Sequence, residues 1–125
     1  MRPPPPGHPL GRHLLVELYG CTPERLDDPA LLIAALRDAA EAIGATVVGE
    51  ARHRYLPQGA SAVLLVAESH LSLHTWPEAR YAAADVFTCA PDAPLHRAPA
   101  ILAARLGAAR QEVHELGRGA GWALP

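Results

Sequence analysis

Apolar side chains fall on every second position of Arg12–Tyr19. Leu14, Val16 and Leu18 share one face, the period of a strand with one buried side. The period then changes. Asp28-Pro29 supplies a cap acceptor followed by a proline suited to a first helical turn, and Leu32, Leu36, Ala39 and Ile43 recur at helical intervals through Ala30–Ile43. Gly44 closes that helix. Strand patterns resume over Thr46–Tyr55 and Ser61–Ala67, separated by the turn Pro57-Gln58-Gly59. Trp76-Pro77-Glu78 breaks the chain and opens a short helical turn. Asp85–Cys89 predicts another strand, Ala100–Leu106 a second long helix, and Gln111–Leu116 a last strand.

The order is strand, helix, strands, then strands, helix, strand, joined by hairpin-length links. This predicts an α+β fold, a two-layer α/β sandwich with an antiparallel sheet and two long helices on one face. The other face is then left uncovered, and a second copy of the chain is the simplest cover. Residues 11–125 form one domain after an extension at 1–10.

Composition narrows the picture. With 125 residues, half of them hydrophobic, and a net charge of −2, the chain builds one compact core. It lacks the basic excess that holds phosphates, so nucleic acid is not an expected partner. Apolar runs such as Ala62–Ala67 are too short to cross a membrane. The start, Met-Arg-Pro-Pro-Pro-Pro-Gly, lacks the apolar stretch of an export signal and reads as an extended segment without a function of its own. A cytoplasmic location with Cys21 and Cys89 reduced follows.

Candidate chemistry collects between Ala67 and Ala90. Glu68, Ser69, His70, Ser72, His74, Glu78, Asp85 and Cys89 arrive while the chain still looks extended. Three readings compete: a strand end with satisfied polar groups, a metal site, and nucleophilic chemistry. His70 and His74 lack an evident third ligand and the HExxH arrangement, so no metal is expected. Ser69 or Cys89 with a histidine base would serve a nucleophilic reaction, although the GxSxG elbow of ordinary hydrolases is absent. All eleven basic residues are arginines. Without lysine, the chain cannot hold pyridoxal phosphate as a Schiff base, so amine chemistry here needs another carbonyl.

GRHLLVELYGC (Gly11–Cys21), LPQGAS (Leu56–Ser61), ESHLSLHTWPE (Glu68–Glu78) and YAAADVFTC (Tyr81–Cys89) closely resemble the prokaryotic S-adenosylmethionine decarboxylase proenzymes. The resemblance runs from about Gly11 to Arg118. It implies self-cleavage between Glu68 and Ser69 into a β chain, 1–68, and an α chain, 69–125. Ser69 becomes a covalent pyruvoyl group, the cofactor, which holds the substrate amine as a Schiff base. Ser61 and His74 then assist processing, Cys89 donates a proton in turnover, Tyr55 stacks on adenine, and Glu78 accepts hydrogen bonds from ribose. A homodimer of processed protomers is also implied.

Related pyruvoyl enzymes act on arginine or ornithine, and an unprocessed regulatory subunit is a further alternative. Ala62 and Ala90 stand where the family has glycine. A positive φ at either would add strain of roughly 1 kcal/mol. Tyr55 stands where phenylalanine is usual. Trp76 and Phe87 read as core residues, while His13, Glu17, Glu50 and Asp85 are unranked candidates to line the pocket.

Overall fold

The computed structural model describes residues 3–123. Its elements are β1 (Gly11–Tyr19), α1 (Pro23–Leu26), α2 (Pro29–Ala42), β2 (Val47–Arg54), β3 (Ala60–Val66), β4 (Ser69–Trp76), β5 (Tyr81–Thr88), α3 (Ala98–Leu106) and β6 (Arg110–Arg118). The strands form one antiparallel sheet in the order β2-β3-β4-β5-β1-β6. The helices cover one face of it. This is the expected α+β sandwich, with two differences. The second helix, α3, has only nine residues, so just one helix is long. The four-residue α1 has no counterpart in the sequence pattern, because one turn is too short to show an apolar period.

The helix-side core follows the alternation read from the sequence. Leu14, Val16 and Leu18 of β1 share one buried cluster with Leu32, Leu36 and Ala39 of α2 and with Leu64, Leu71, Leu73 and Val86 of the central strands. Each such leucine removed from water contributes about 1.5–3 kcal/mol. The Asp28 carboxylate accepts the Leu31 N–H at 3.2 Å, starting α2, and Gly44 leaves it at φ +75°.

Ala62 is fully buried in β3 beneath the helix layer. Among the described non-glycine residues, only Arg80 has a positive φ, 52°, so neither Ala62 nor Ala90 carries the strain its sequence position suggested.

The opposite, open face carries the polar residues of the central strands, and two expectations fail there. Trp76 is 44% exposed beside the Tyr81 ring, and Phe87 lies between the His13 and His70 rings. Neither belongs to the core. Their even and odd positions on β4 and β5 turn both rings away from the helices. Glu50, by contrast, pairs with Arg37 of α2 at 2.6 Å and lies away from the open face.

Candidate active site

The β3–β4 hairpin closes with Val66 opposite Ser69, leaving Ala67-Glu68 as its loop. Ser69 pairs on its other side with Thr88, the last residue of β5, which places Cys89 against the loop. The Glu68 carbonyl accepts two hydrogen bonds from that residue, from its backbone N–H at 3.2 Å and its thiol at 3.1 Å. This carbonyl belongs to the peptide bond preceding Ser69. Two donors on one carbonyl make its carbon more electrophilic and stabilise negative charge developing on oxygen. A hydroxyl one residue onward is the nearest nucleophile in sequence.

A second group lies at the other end of the hairpin. Ser61 and His74 are cross-strand partners, and Ser61 Oγ lies 2.8 Å from His74 Nδ1. The Tyr55 hydroxyl is 3.0 Å from the same Ser61 oxygen. Tyr55, Ser61, His74, Trp76 and Glu78 line one cavity of about 510 Å³, a volume suited to a nucleoside-sized ligand. The expected residues therefore form two clusters, Glu68–Ser69–Cys89 and Tyr55–Ser61–His74–Glu78. Ser69 and His74 are five positions apart on β4. At about 3.3 Å per residue this separates them by about 17 Å and points their side chains to opposite faces.

Between the clusters, the open face holds a network that the sequence did not rank. Asp85 Oδ2 is 2.6 Å from His13 Nε2 and 3.1 Å from His70 Nε2, and Ser72 donates to the other oxygen. Arg118 donates to His13 Nδ1 at 3.0 Å, so Nε2 carries the imidazole proton and donates to Asp85. His70 and His74 share a face but serve different partners, Asp85 and Ser61. The signal was present in the alternating His70, Ser72 and His74, but their partners come from β1 and β5. A second group joins Tyr81, whose hydroxyl donates to Glu17 at 2.6 Å; burial and that bond raise its pKa.

Burial alone would raise the Asp85 carboxyl. The hydrogen bonds from Ser72, His13 and His70 outweigh it and hold the group below its ordinary range. A depressed folded-state pKa adds stability that is complete above the ordinary carboxylate range and disappears as pH falls through the folded value. Asp85→Asn is therefore expected to lower unfolding stability by about 1–3 kcal/mol at neutral pH. In urea titrations across an acid series, the gap from the parent should close as the carboxylate protonates. A gap constant with pH would contradict this account.

The family profile described as S-adenosylmethionine decarboxylase matches residues 12–119, most of the chain. The chain belongs to the S-adenosylmethionine decarboxylase family. A relative named S-adenosylmethionine decarboxylase proenzyme, from Parasynechococcus marenigrum, is 44% identical over 109 residues, covering 87% of this chain and 85% of the relative. A proenzyme of the same name from Thermotoga petrophila is 47% identical over 111 residues, with the same two coverages. The crystal structure of the adenosylmethionine decarboxylase from Aquifex aeolicus superposes with a TM-score of 0.81 at 31% identity, covering 90% of this chain and 92% of that one. The S-adenosylmethionine decarboxylase match thus takes in both clusters and the Asp85 network. It stops short of the proline-rich start.

Proposed function

We propose that the chain is a proenzyme that cuts itself between Glu68 and Ser69 and then decarboxylates S-adenosylmethionine as a homodimer in the cytoplasm. The observation that carries this reading is the Glu68 carbonyl held by the Cys89 N–H and thiol. These donors prepare the carbonyl for attack by the Ser69 hydroxyl, which converts the amide to an ester. Removal of the Ser69 α-hydrogen then needs a base, and a histidine is suited to it near neutral pH. A pyruvoyl group at position 69 would supply the ketone that binds the substrate amine and accepts electrons as carbon dioxide leaves.

The chain's own side chains handle the rest. Tyr55 offers a ring face to adenine and the sulfonium charge, while Glu78 in the same cavity accepts from ribose hydroxyls. This pairing of ring and carboxylate favours a nucleoside over arginine or ornithine. The absence of positive φ at Ala62 and Ala90 removes the physical ground for an unprocessed regulatory protein.

Within one protomer Ser69 and His74 lie about 17 Å apart along β4, so a second copy would supply the His74 of a complete site. The open face exposes Leu65 and Trp76 around its polar network, and pairing two such faces about a two-fold axis perpendicular to the strands would set the two β4 strands antiparallel. The start of one strand then lies over the end of the other, bringing the Glu68–Ser69 turn of one copy near the His74 end of its partner. No helix among the described residues is long and apolar enough to cross a membrane. Cys89 is a free thiol, which suits a reducing compartment.

Denaturing mass spectrometry of the purified protein should give two chains, 1–68 and 69–125, the second with a blocked N-terminus. Carbon dioxide release should occur with S-adenosylmethionine and not with arginine or ornithine. An intact chain after prolonged incubation, or no release from S-adenosylmethionine, would overturn the reading.

Cys89→Ala separates two roles. It removes the thiol donor to Glu68 but keeps the N–H, so cleavage should slow without stopping. Turnover of the processed fraction should fall about 10²–10⁴-fold, the range of a lost general acid. Full turnover after that substitution would remove Cys89 from the reaction.

A further inference from the structure

The proline-rich start lies outside the family match, yet it is built against the reactive end of the sheet. Pro3–Pro5, His8 and Leu10 form one wall of a mostly apolar cavity of about 650 Å³, and Thr88–Pro91, including Cys89, form the other. The segment is shaped to reach that place. The His8 N–H donates to the Pro5 carbonyl at 3.1 Å, and Gly7 sits at φ +91°. Proline at the second position and a positive-φ glycine at the third are the residues of a type II turn. This turn reverses the chain and returns Pro3–Pro5 toward Cys89.

Both walls are anchored. A Cβ on Gly117 would lie 3.2 Å from Pro9, and one on Gly119 would lie 3.3 Å from Leu10, so these glycines let the segment pack close to the end of β6. Across the cavity, Arg12 donates to the Pro91 and Ala93 carbonyls at 3.3 and 3.0 Å and fixes the loop after Cys89. Prolines suit such a wall because they have no N–H to satisfy and little backbone freedom to lose.

We propose that Pro3–Leu10 is a strap that walls the chamber at Cys89, limits the size of what reaches the thiol, and so helps determine specificity. The part of a ligand that passes the strap to the thiol is a slender, flexible chain end such as an aminoalkyl carboxylate. The specificity role rests on the decarboxylase reading above, whereas shielding of the thiol does not.

The test uses the rate at which a bulky maleimide labels the folded protein. Cys21, with no exposure, is the internal reference for unfolding. Deleting residues 1–9 should speed labelling of Cys89 severalfold for the bulky reagent and much less for iodoacetamide, with Cys21 unlabelled. Gly7→Val should give a smaller acceleration, because nothing lies within 4 Å of a Cβ there and only the turn is disfavoured. If the deletion exposes Cys21, the fold has loosened and Gly7→Val decides the test. Unchanged bulky-reagent rates would overturn the strap, even in a protein that decarboxylates normally. Accelerated labelling in a chain that never releases carbon dioxide would keep the shield and overturn the functional reading.

Discussion

Replacing Ser69 with alanine is expected to leave a single chain of 13.3 kDa with no decarboxylase activity, however long it is incubated. In the proposed cleavage the Ser69 hydroxyl is the nucleophile. The Glu68 carbonyl is polarised by two donors from Cys89, and the hydroxyl on the following residue can form the ester by a local rearrangement. Alanine removes the attacking oxygen and leaves both donors in place. Folding should survive, because Ser69 is held by backbone pairing with Val66 and Thr88. Thermal unfolding of Ser69→Ala near that of the uncleaved parent would show that lost cleavage is chemical and not structural. A Ser69→Ala chain that still broke after Glu68 would require another route and would refute the proposed mechanism.

The sequence made the sheet legible because period-two alternation is a local property. Leu14, Val16 and Leu18 are buried where the alternation placed them, and the α2 stripe is buried with them. β5 begins at Tyr81, earlier than its sequence pattern suggests, because Ala82 and Ala84 are small and weak strand formers, although they alternate correctly. Trp76 and Phe87 suggest core residues because large aromatics usually pack inside, whereas their parity on β4 and β5 puts them on the open face. The Asp85 network was harder to see. His70 and Ser72 lie close together in sequence, but His13 reaches Asp85 only because β1 lies beside β5, an order that hydropathy does not encode. The proline segment reads as inert in the sequence because the residues it packs against, at the end of β6 and in the loop after Cys89, lie far along the chain.

Mixing two inactive chains should restore cleavage in one of them. In a homodimer whose sites combine the Ser69 end of one copy with the His74 end of the other, Ser69→Ala has no nucleophile and His74→Ala lacks the processing base. Each alone should remain uncut or cut slowly. In a mixed dimer, the Ser69 of the His74→Ala chain faces the intact His74 of its partner, so that site is complete. The opposite site lacks both groups. Co-expression with distinguishable masses should therefore speed cleavage of the His74→Ala chain alone and leave Ser69→Ala whole. The basis is geometric: the two residues are five positions apart on β4, about 17 Å at strand rise, too far for His74 to serve the Ser69 of its own protomer. A site within one protomer would leave the His74→Ala chain as slow in the mixture as alone. That outcome would also remove the need for the open face to meet a second copy.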